Sequence, residues 1–338
     1  MKKGKILIYD FGTTAVKTTL FDEEIQMIDR ITTELNYDYP QDKYVEIDAE
    51  LYWEIAIITA REIITRNNSE DSVSIISITS QAETVIPVDS NGNCLQKAMV
   101  WLDGRAVREN DDLKKKIDVD SFYRITGLND LDPIWPINKV KWIKDNKPDV
   151  YKNTAQFLLL KDYVLYKLTG EFVTDPSICS FSGYFDIYQK KWSQQLLDLA
   201  TLDSGKLPRI EESETIIGLL KPEVKEMFGL KNQVKVMNGM LDQSASAIGA
   251  GNIEEGSLTE TTGTVLALAS TIENIDLLDL EGRAPVVCHG IKDKYLALTF
   301  CQTAGIILKW FRDNFCEVEI AEAKRSNRDV YDILTEKA

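Results

Sequence analysis

The chain has 338 residues, of which 44% are hydrophobic and 28% are charged, and this length is sufficient for two domains. It carries 54 acidic and 39 basic residues, which gives a formal net charge of −15 at pH 7. This balance argues against nucleic acid and anionic membrane surfaces as partners, whereas a small anion can still bind where backbone amides or a metal ion neutralise it.

The first apolar run is short. It extends only from Ile6 to Tyr9 before Asp10 interrupts it, and no later run approaches the length of a membrane span. The five cysteines lie at wide, irregular intervals, which is typical of free thiols and not of a disulfide framework or a zinc site. We therefore expect a soluble, cytoplasmic protein. Because His289 is the sole histidine, most His-dependent hydrolase and metal-site mechanisms are excluded.

Strand and helix patterns alternate along the chain. An apolar run ending at Asp10, a Gly-Thr-Thr turn and a β-branched run from Val16 to Phe21 predict a β-hairpin. Further strands or strand–turn–strand units are predicted over residues 73–79, 85–101, 233–239 and 258–270. Helices are predicted over residues 51–66, 137–144, 157–168 and 242–248, and a further helix near Thr303. Gly170 is expected at the C-cap of the helix over residues 157–168. Trp310 and Phe311, in the last helix, are expected in the core. This mixture predicts an α/β fold with mixed sheets.

A weak internal repeat connects two of these hairpins. Thr13 and Thr14 follow Gly12 in the first hairpin, and Thr264 follows Gly263 in another, each between apolar strands. Two phosphate-cradling hairpins in two domains would place a nucleotide between them. Chance duplication of one dipeptide explains the pattern equally well.

Two familiar nucleotide-binding motifs are incomplete here. The segment from Gly12 to Thr18 has the outline of a P-loop, but Val16 precedes Lys17 where glycine is required, and a strand follows where a P-loop opens a helix. The pair Gly249 and Gly251 lacks the third glycine of a dinucleotide-binding loop and follows a predicted helix. Both interpretations are rejected.

The first hairpin nevertheless has the residue types of a phosphate site. Gly12 lets backbone amides approach a phosphate, and the hydroxyls of Thr13 and Thr14 add donors. Asp10 could hold Mg²⁺ through water, and Lys17 would face the terminal phosphate. An ordinary hairpin with an exposed aspartate is the equally plausible alternative.

This hairpin resembles the first phosphate motif of the FGGY carbohydrate kinases, the family of glycerol kinase and xylulokinase. Other segments similar to that family's motifs follow in the family's order: Ser80-Gln81-Ala82-Glu83-Thr84 and Val100-Trp101-Leu102-Asp103-Gly104-Arg105 for the sugar, Lys161-Asp162-Tyr163, Leu168-Thr169-Gly170 and Thr174-Asp175 in the helical region, Gly239-Met240-Leu241-Asp242-Gln243-Ser244-Ala245 for the catalytic base, and Thr262-Gly263-Thr264 for the second phosphate motif. Each segment alone is weak, but the ordered set is specific.

The resemblance implies transfer of a phosphoryl group from ATP, with Mg²⁺, to a hydroxyl of a small sugar or polyol. The implied nucleotide contacts are Gly12, Thr13, Thr14, Lys17, Gly263 and Thr264, with Asp10 at the metal. The implied substrate contacts are Gln81, Glu83, Trp101, Asp103 and Asp242. Ala82 stands where glycerol kinases have an arginine, and the Gln-Met-His of xylulokinases is absent. The resemblance therefore implies neither glycerol nor xylulose as the substrate.

Asp242 is implied as the general base. It lies at the start of a predicted helix, where the helix dipole and free amides are expected to keep it ionised. A simple N-cap is the alternative, and the two roles are compatible. Arg105 would orient one of the acids, and Trp101 has core packing as its alternative.

The resemblance also implies a two-domain actin-like or ribonuclease H-like ATPase fold. The expected domains are residues 1–252, with the sugar site, and an incomplete second domain over residues 253–338. We expect a fragment, a truncated reading frame or one part of a split kinase. Weak nucleotide affinity, low or no turnover, and a tendency to aggregate or to form homodimers are expected with it. A non-catalytic sugar-binding module and another actin-like or acetate-kinase-type enzyme are the competing hypotheses.

Overall fold

The computed structural model describes residues 4–262, 266–275, 284–301 and 304–338. No helix in these ranges is long and apolar enough to cross a membrane. The helices are α1 (Ala49–Arg66), α2 (Val107–Lys114), α3 (Val119–Thr126), α4 (Pro136–Asn146), α5 (Pro148–Asn153), α6 (Leu160–Thr169), α7 (Pro176–Cys179), α8 (Gln194–Ala200), α9 (Pro222–Phe228), α10 (Asp242–Gly249), α11 (Gly305–Phe315), α12 (Glu317–Ser326) and α13 (Val330–Lys337).

The strands are β1 (Lys5–Phe11), β2 (Ala15–Phe21), β3 (Met27–Glu34), β4 (Glu46–Ile47), β5 (Val73–Ser80), β6 (Val85–Val88), β7 (Ala98–Met99), β8 (Gln156–Leu159), β9 (Val173–Thr174), β10 (Phe185–Asp186), β11 (Lys191–Trp192), β12 (Arg209–Ile210), β13 (Ile216–Leu219), β14 (Lys235–Met237), β15 (Met240–Leu241), β16 (Leu258–Thr262), β17 (Leu266–Ile272), β18 (Val286–Cys288) and β19 (Tyr295–Cys301).

The largest sheet is mixed. Its order is β13-β14-β5-β1-β2-β3, and β15 also pairs with β5. Strands β1, β14 and β15 run parallel to β5, while β2 is antiparallel to β1, which confirms the predicted hairpin. Because the parallel strands end at one edge, the residues that follow β1, β5 and β15 meet there.

Helix α1 packs against this sheet and confirms the helix predicted over residues 51–66. The hydroxyl of Tyr9 on β1 donates to the carbonyl of Ala56 at 2.9 Å. The hydroxyls of Thr18 on β2 and Thr59 share a hydrogen bond of 2.7 Å. These buried contacts hold both strands of the first hairpin against one helix.

The helix predicted over residues 157–168 is partly wrong. Its first residues form β8, which pairs with β6 through Val85 and Leu159, and α6 begins only at Leu160. A continuous apolar run does not distinguish a buried strand from a helix. The switch occurs where the side chain of Asp162 accepts from the amide of Leu159 at 3.2 Å. Gly170 ends α6 in the left-handed conformation, as predicted.

The residues after 252 form a four-stranded antiparallel sheet in the order β16-β17-β19-β18. The two strands predicted within residues 258–270 are therefore confirmed, while residues 263–265 between them lie outside the described residues. Ala269, Leu296 and Leu298 of this sheet share a buried cluster with Leu128 and Leu241. One core thus connects this sheet to the end of β15.

Helices α11, α12 and α13 follow that sheet. The helix predicted near Thr303 is present as α11, but Trp310 and Phe311 are 56% and 45% exposed. Their expected place in the core is therefore wrong, because the described residues place no element over that face of α11.

Candidate active site

The candidate site lies where β1, β5 and β15 end. Thr79 near the end of β5 is level with Asp10 on one side and Met240 on the other. Asp242 follows β15 directly and opens α10. Gly239, with a φ of 78°, permits the approach, because a Cβ there would lie 1.9 Å from the carbonyl oxygen of Ile78.

The first hairpin presents an ion pair at this edge. Lys17 Nζ lies 2.9 Å from Asp10 Oδ2, and the two side chains are 46% and 30% exposed. The amide of Gly12 donates to the carbonyl of Ala15 at 3.1 Å and so belongs to the turn itself. Thr14 is exposed. Strand β2 follows the turn, whereas a P-loop would be followed by a helix. The structure thus agrees with the rejection of a P-loop here.

Trp101 joins the two segments assigned to phosphate and sugar. Its indole Nε1–H donates to Thr13 Oγ1 at 3.0 Å, and its amide donates to Thr84 Oγ1 at 3.2 Å. Gln81 Nε2 donates to the same Thr84 hydroxyl at 2.6 Å. Among the described residues Gln81 Oε1 is buried without a hydrogen-bond partner, so it is an acceptor whose hydrogen-bonding capacity is unsatisfied.

Glu83 is held in an unusual conformation. Its φ is 61°, a value that costs free energy for a residue other than glycine and is often found at functional sites. Burial raises the pKa of Glu83, and nearby Asp242 raises it further, while Lys139 opposes both effects. The Glu83 carboxyl therefore holds its proton more tightly than an exposed glutamate.

Lys139 is a site residue that the sequence reasoning missed. It is fully buried in α4, and its amine donates to the carbonyls of Glu83 at 2.9 Å, Val100 at 2.7 Å and Trp101 at 3.4 Å. Burial lowers the pKa of Lys139, and Glu83 opposes this shift. Its signal in the sequence is a lysine between Ile137 and Val140 on a buried helix face.

Asp242 is half-buried, and its carboxylate accepts the amide of Gln243 at 2.6 Å. The pKa of Asp242 is raised to about 7, chiefly because the carboxyl is buried. The hydrogen bond from the Gln243 amide and the charge of Lys17 act to lower this pKa, and the charge of Asp10 acts to raise it. The expectation that the helix start keeps Asp242 ionised therefore holds only in part, because the effect of burial on its pKa outweighs that of the amide. The N-cap position belongs to Leu241, so Asp242 is not simply a cap.

Asp103 does not share this surface. Its side chain is fully buried; Oδ2 accepts the amide of Val45 at 2.8 Å, and both oxygens accept from Arg105. Arg105 also pairs with Glu46 at 2.8 Å and lies 3.7 Å from the ring centroid of Tyr44. Asp103 and Arg105 thus stabilise the loop after Trp101.

A sequence profile described as the FGGY family of carbohydrate kinases, N-terminal domain, matches residues 5–249. The chain belongs to this family.

Two curated relatives show how the family match extends along the chain. The chain is 28% identical to a xylulose kinase of Staphylococcus xylosus over 303 residues, which cover 90% of this chain and 62% of that protein. It is 27% identical to a gluconokinase of Bacillus subtilis over 330 residues, covering 97% and 63% respectively. The chain therefore spans less than two thirds of the length of these relatives.

A solved structure gives the fold. The crystal structure of Plasmodium falciparum glycerol kinase with ADP matches with a TM-score of 0.85 at 23% identity, over 95% of this chain and 66% of that chain. The mixed α/β fold of the FGGY kinases, an actin-like ATPase fold, is thus shown for the part of the chain that aligns.

The second phosphate motif falls between β16 and β17 in the sequence. Gly263 and Thr264 lie outside the described residues. The strands on either side of them, β16 and β17, form an antiparallel hairpin with Thr262 opposite Leu266.

No group of three or more His, Cys, Asp or Glu side chains suited to a metal ion occurs within the described ranges. Asp10 and Asp242 are nevertheless close enough for the charge of one to raise the pKa of the other. Mg²⁺ needs only one or two protein carboxylates when substrate phosphates complete its shell. The oxygen donors at this edge of the FGGY fold therefore fit Mg²⁺.

Proposed function

We propose that this protein transfers the terminal phosphoryl group of ATP to a hydroxyl of a small sugar or polyol. One observation supports this most directly: Asp242 has charge interactions with Asp10 and Lys17 of the first hairpin and also with Glu83. A proton acceptor close to both a phosphate-type hairpin and a hydroxyl-type pocket is what phosphoryl transfer to an alcohol requires. The related xylulose, gluconate and glycerol kinases support the substrate class.

Asp242 is the general base in this proposal. Its pKa of about 7 makes it a better proton acceptor than an ordinary aspartate while leaving about half of it ionised at neutral pH. The substrate hydroxyl donates its proton to the Asp242 carboxylate as the hydroxyl oxygen attacks the terminal phosphorus of ATP, and the bond from that phosphorus to the bridging oxygen breaks to release ADP.

The sugar binds beside Glu83. The glutamate and the free Oε1 of Gln81 accept hydrogen bonds from substrate hydroxyls, and the indole face of Trp101 packs against sugar C–H groups. Asp103 acts indirectly, because its carboxylate is buried and holds Arg105.

The phosphates bind at the first hairpin, with Gly12 allowing close approach and Thr13 and Thr14 donating. Because the Lys17–Asp10 pair is partly exposed, separating it costs little. Lys17 can therefore turn to a phosphate while Asp10, through water, holds Mg²⁺. When bound, Mg²⁺ would neutralise charge on the transferred group. Gly263 and Thr264 are proposed as the contacts from the other hairpin.

Ligand binding and turnover of the purified chain test this proposal together. Thermal unfolding should be followed with a panel of polyols, ketoses and sugar acids, for the wild type, Glu83→Ala and the control Glu54→Ala, which changes an exposed residue of α1. One sugar at 100 times its dissociation constant should add about 2.7 kcal/mol to the free energy of unfolding, which raises the melting temperature by a few degrees. Glu83→Ala should abolish this increase and Glu54→Ala should retain it.

The bound sugar should then be supplied with Mg-ATP, and ADP release should be measured. Turnover that Asp242→Asn abolishes would support the kinase. Sugar binding without turnover would favour a sugar-binding module, and the absence of any shift in a chain that melts cooperatively would contradict the proposed pocket.

A further inference from the structure

A buried ionic network contacts the segment that precedes the proposed base and is not used by the reaction described above. Lys161 and Asp175 are fully buried and Asp162 is 1% exposed. Lys161 Nζ lies 3.3 Å from an oxygen of each carboxylate. Such a network is costly to bury, so the contacts that extend from it are informative.

One path from this network leads to β15. Asp175 Oδ2 accepts the amide of Ser177 at 3.0 Å, the hydroxyl of Ser177, and the hydroxyl of Ser213 at 2.8 Å. Ser177 Oγ in turn accepts the amide of Leu241 at 3.0 Å. Leu241 immediately precedes Asp242.

A second path reaches the same segment from its other end. Lys161 Nζ donates to Asn238 Oδ1 at 3.0 Å and to the Asn238 carbonyl at 3.2 Å. Asn238 Nδ2 donates to the carbonyl of Thr174 at 2.9 Å. Lys161 therefore contacts Asn238 just before β15 directly, and Asp175 is connected through Ser177 to Leu241, the last residue of that strand.

We propose that Ser177, oriented by Asp175 and Lys161, is a positioning residue that sets the direction of the Asp242 carboxylate. The inference rests on the proposed function, in which Asp242 takes the proton of the substrate hydroxyl. Strand β15 is too short to fix its own end, and a displacement of about 1 Å at a reacting group can cost about 100-fold in rate. The amide of Leu241 is the last backbone donor before the base.

The chain offers a matched control in Ser180. It is buried like Ser177 and stands at the other end of the same short helix, α7. Its hydroxyl donates to the carbonyl of Pro176 at 2.8 Å and accepts the amide of Cys288 at 3.0 Å. Ser180→Ala therefore removes the same kind of bond as Ser177→Ala, but at β18 instead of β15.

Hydrogen exchange and turnover should be compared for the wild type, Ser177→Ala and Ser180→Ala. In Ser177→Ala we expect faster exchange in the peptide that contains residues 239–243 and a fall in kcat of about tenfold or more, with the sugar KM changed less than about twofold. Ser180→Ala should leave both the exchange of that peptide and kcat near the wild-type values. Unchanged exchange in Ser177→Ala, or an equal loss of kcat in both variants, would overturn the proposal.

Two further outcomes are also decisive. If the wild type has no turnover on any sugar, the proposed function fails, while the exchange comparison still tests whether Ser177 holds β15. If Ser177→Ala does not fold, Ser213→Ala replaces it, because Ser213 donates to the same oxygen of Asp175. It should speed exchange of residues 239–243 to a smaller extent, and no change in that peptide would contradict the positioning role.

Discussion

At the scale of single residues, the protonation of Asp242 should control the rate. Burial raises its pKa to about 7, and a base must be deprotonated before it can accept the substrate proton. We therefore expect kcat to fall about tenfold per pH unit below about pH 7 and to level off above it. A profile of kcat measured from pH 5 to pH 9 checks this, and a rate independent of pH between 5 and 7 would contradict it.

The same pKa predicts an effect on stability. A carboxyl whose pKa is higher in the folded chain than its unfolded value of about 3.9 binds more protons when folded, so the free energy of unfolding falls as pH rises between the two values. Asp242→Asn removes this pH-dependent loss of folding stability, because asparagine does not ionise. It should raise the melting temperature by a few degrees at pH 8 and have little effect at pH 4.

Asp42→Asn is the control for that measurement, because Asp42 is exposed in a loop. It should leave the melting temperature unchanged at both pH values. An Asp242→Asn chain that is no more stable than the wild type at pH 8 would show that burial does not perturb this carboxyl.

Lys139 should matter for the sugar pocket as well as for folding. Lys139→Met removes the lysine donor from the carbonyls of Glu83, Val100 and Trp101, and the Val100 carbonyl keeps the amide of Asp103 at 2.8 Å. The change should cost about 2–4 kcal/mol of stability and weaken sugar binding at least about tenfold. Lys141→Met is the control, since its largely buried amine in the same helix pairs with Asp145 instead. Equal sugar affinities in the two variants, measured by calorimetry, would refute a role for Lys139 in the pocket.

At the scale of elements, the pairing of β15 with β5 should depend on Gly239. Gly239→Ala places a Cβ 1.9 Å from the Ile78 carbonyl oxygen, so β15 must shift and carry Asp242 with it. Gly229→Ala is the control, because Gly229 has a similar φ of 72° but nothing within 4 Å of its added Cβ. We expect Gly229→Ala to cost about 1 kcal/mol and Gly239→Ala to cost more and lose turnover, as urea unfolding and an ADP-release assay can show.

The elements also show what the sequence could predict. The first hairpin and α10 follow from turn residues and helical spacing, and both are present. The boundary between β8 and α6 does not, because a buried apolar run has no period that separates strand from helix. Lys139 was missed for a related reason: its partners are carbonyls brought together by two distant loops, and backbone acceptors leave no trace in the sequence.

The site residues divide in the same way. Local motifs predict Asp10, Glu83 and Asp242 as site residues. The structure brings them to one edge of the sheet, because Asp10 lies near the end of β1, Glu83 follows β5 and Asp242 follows β15, and β5 pairs with both other strands. Asp103 was chosen by the same reasoning, yet its carboxylate faces Arg105. A motif specifies which residues lie near a pocket, whereas the direction of each side chain depends on packing.

At the scale of the whole molecule, the exposed apolar face of α11 is the feature most at odds with a monomer. Trp310, Phe311 and Phe315 are 56%, 45% and 63% exposed, and the rings of Trp310 and Phe311 each contact the ring of Phe315. Clustered apolar surface of this kind favours association, while the net charge of −15 opposes it. We therefore expect reversible self-association that strengthens as salt screens the repulsion.

Sedimentation velocity at several protein and salt concentrations measures this balance. Trp310→Ser combined with Phe315→Ser should shift the chain toward monomer, because the apolar contact is lost while the net charge is unchanged. Tyr39→Ser is the control, since Tyr39 is 67% exposed but lies outside the α11 face. A wild-type chain that stays monomeric at high salt would show that apolar attraction at α11 is weaker than the surface exposure implies. Association that the α11 variant does not reduce would locate the contact on another surface.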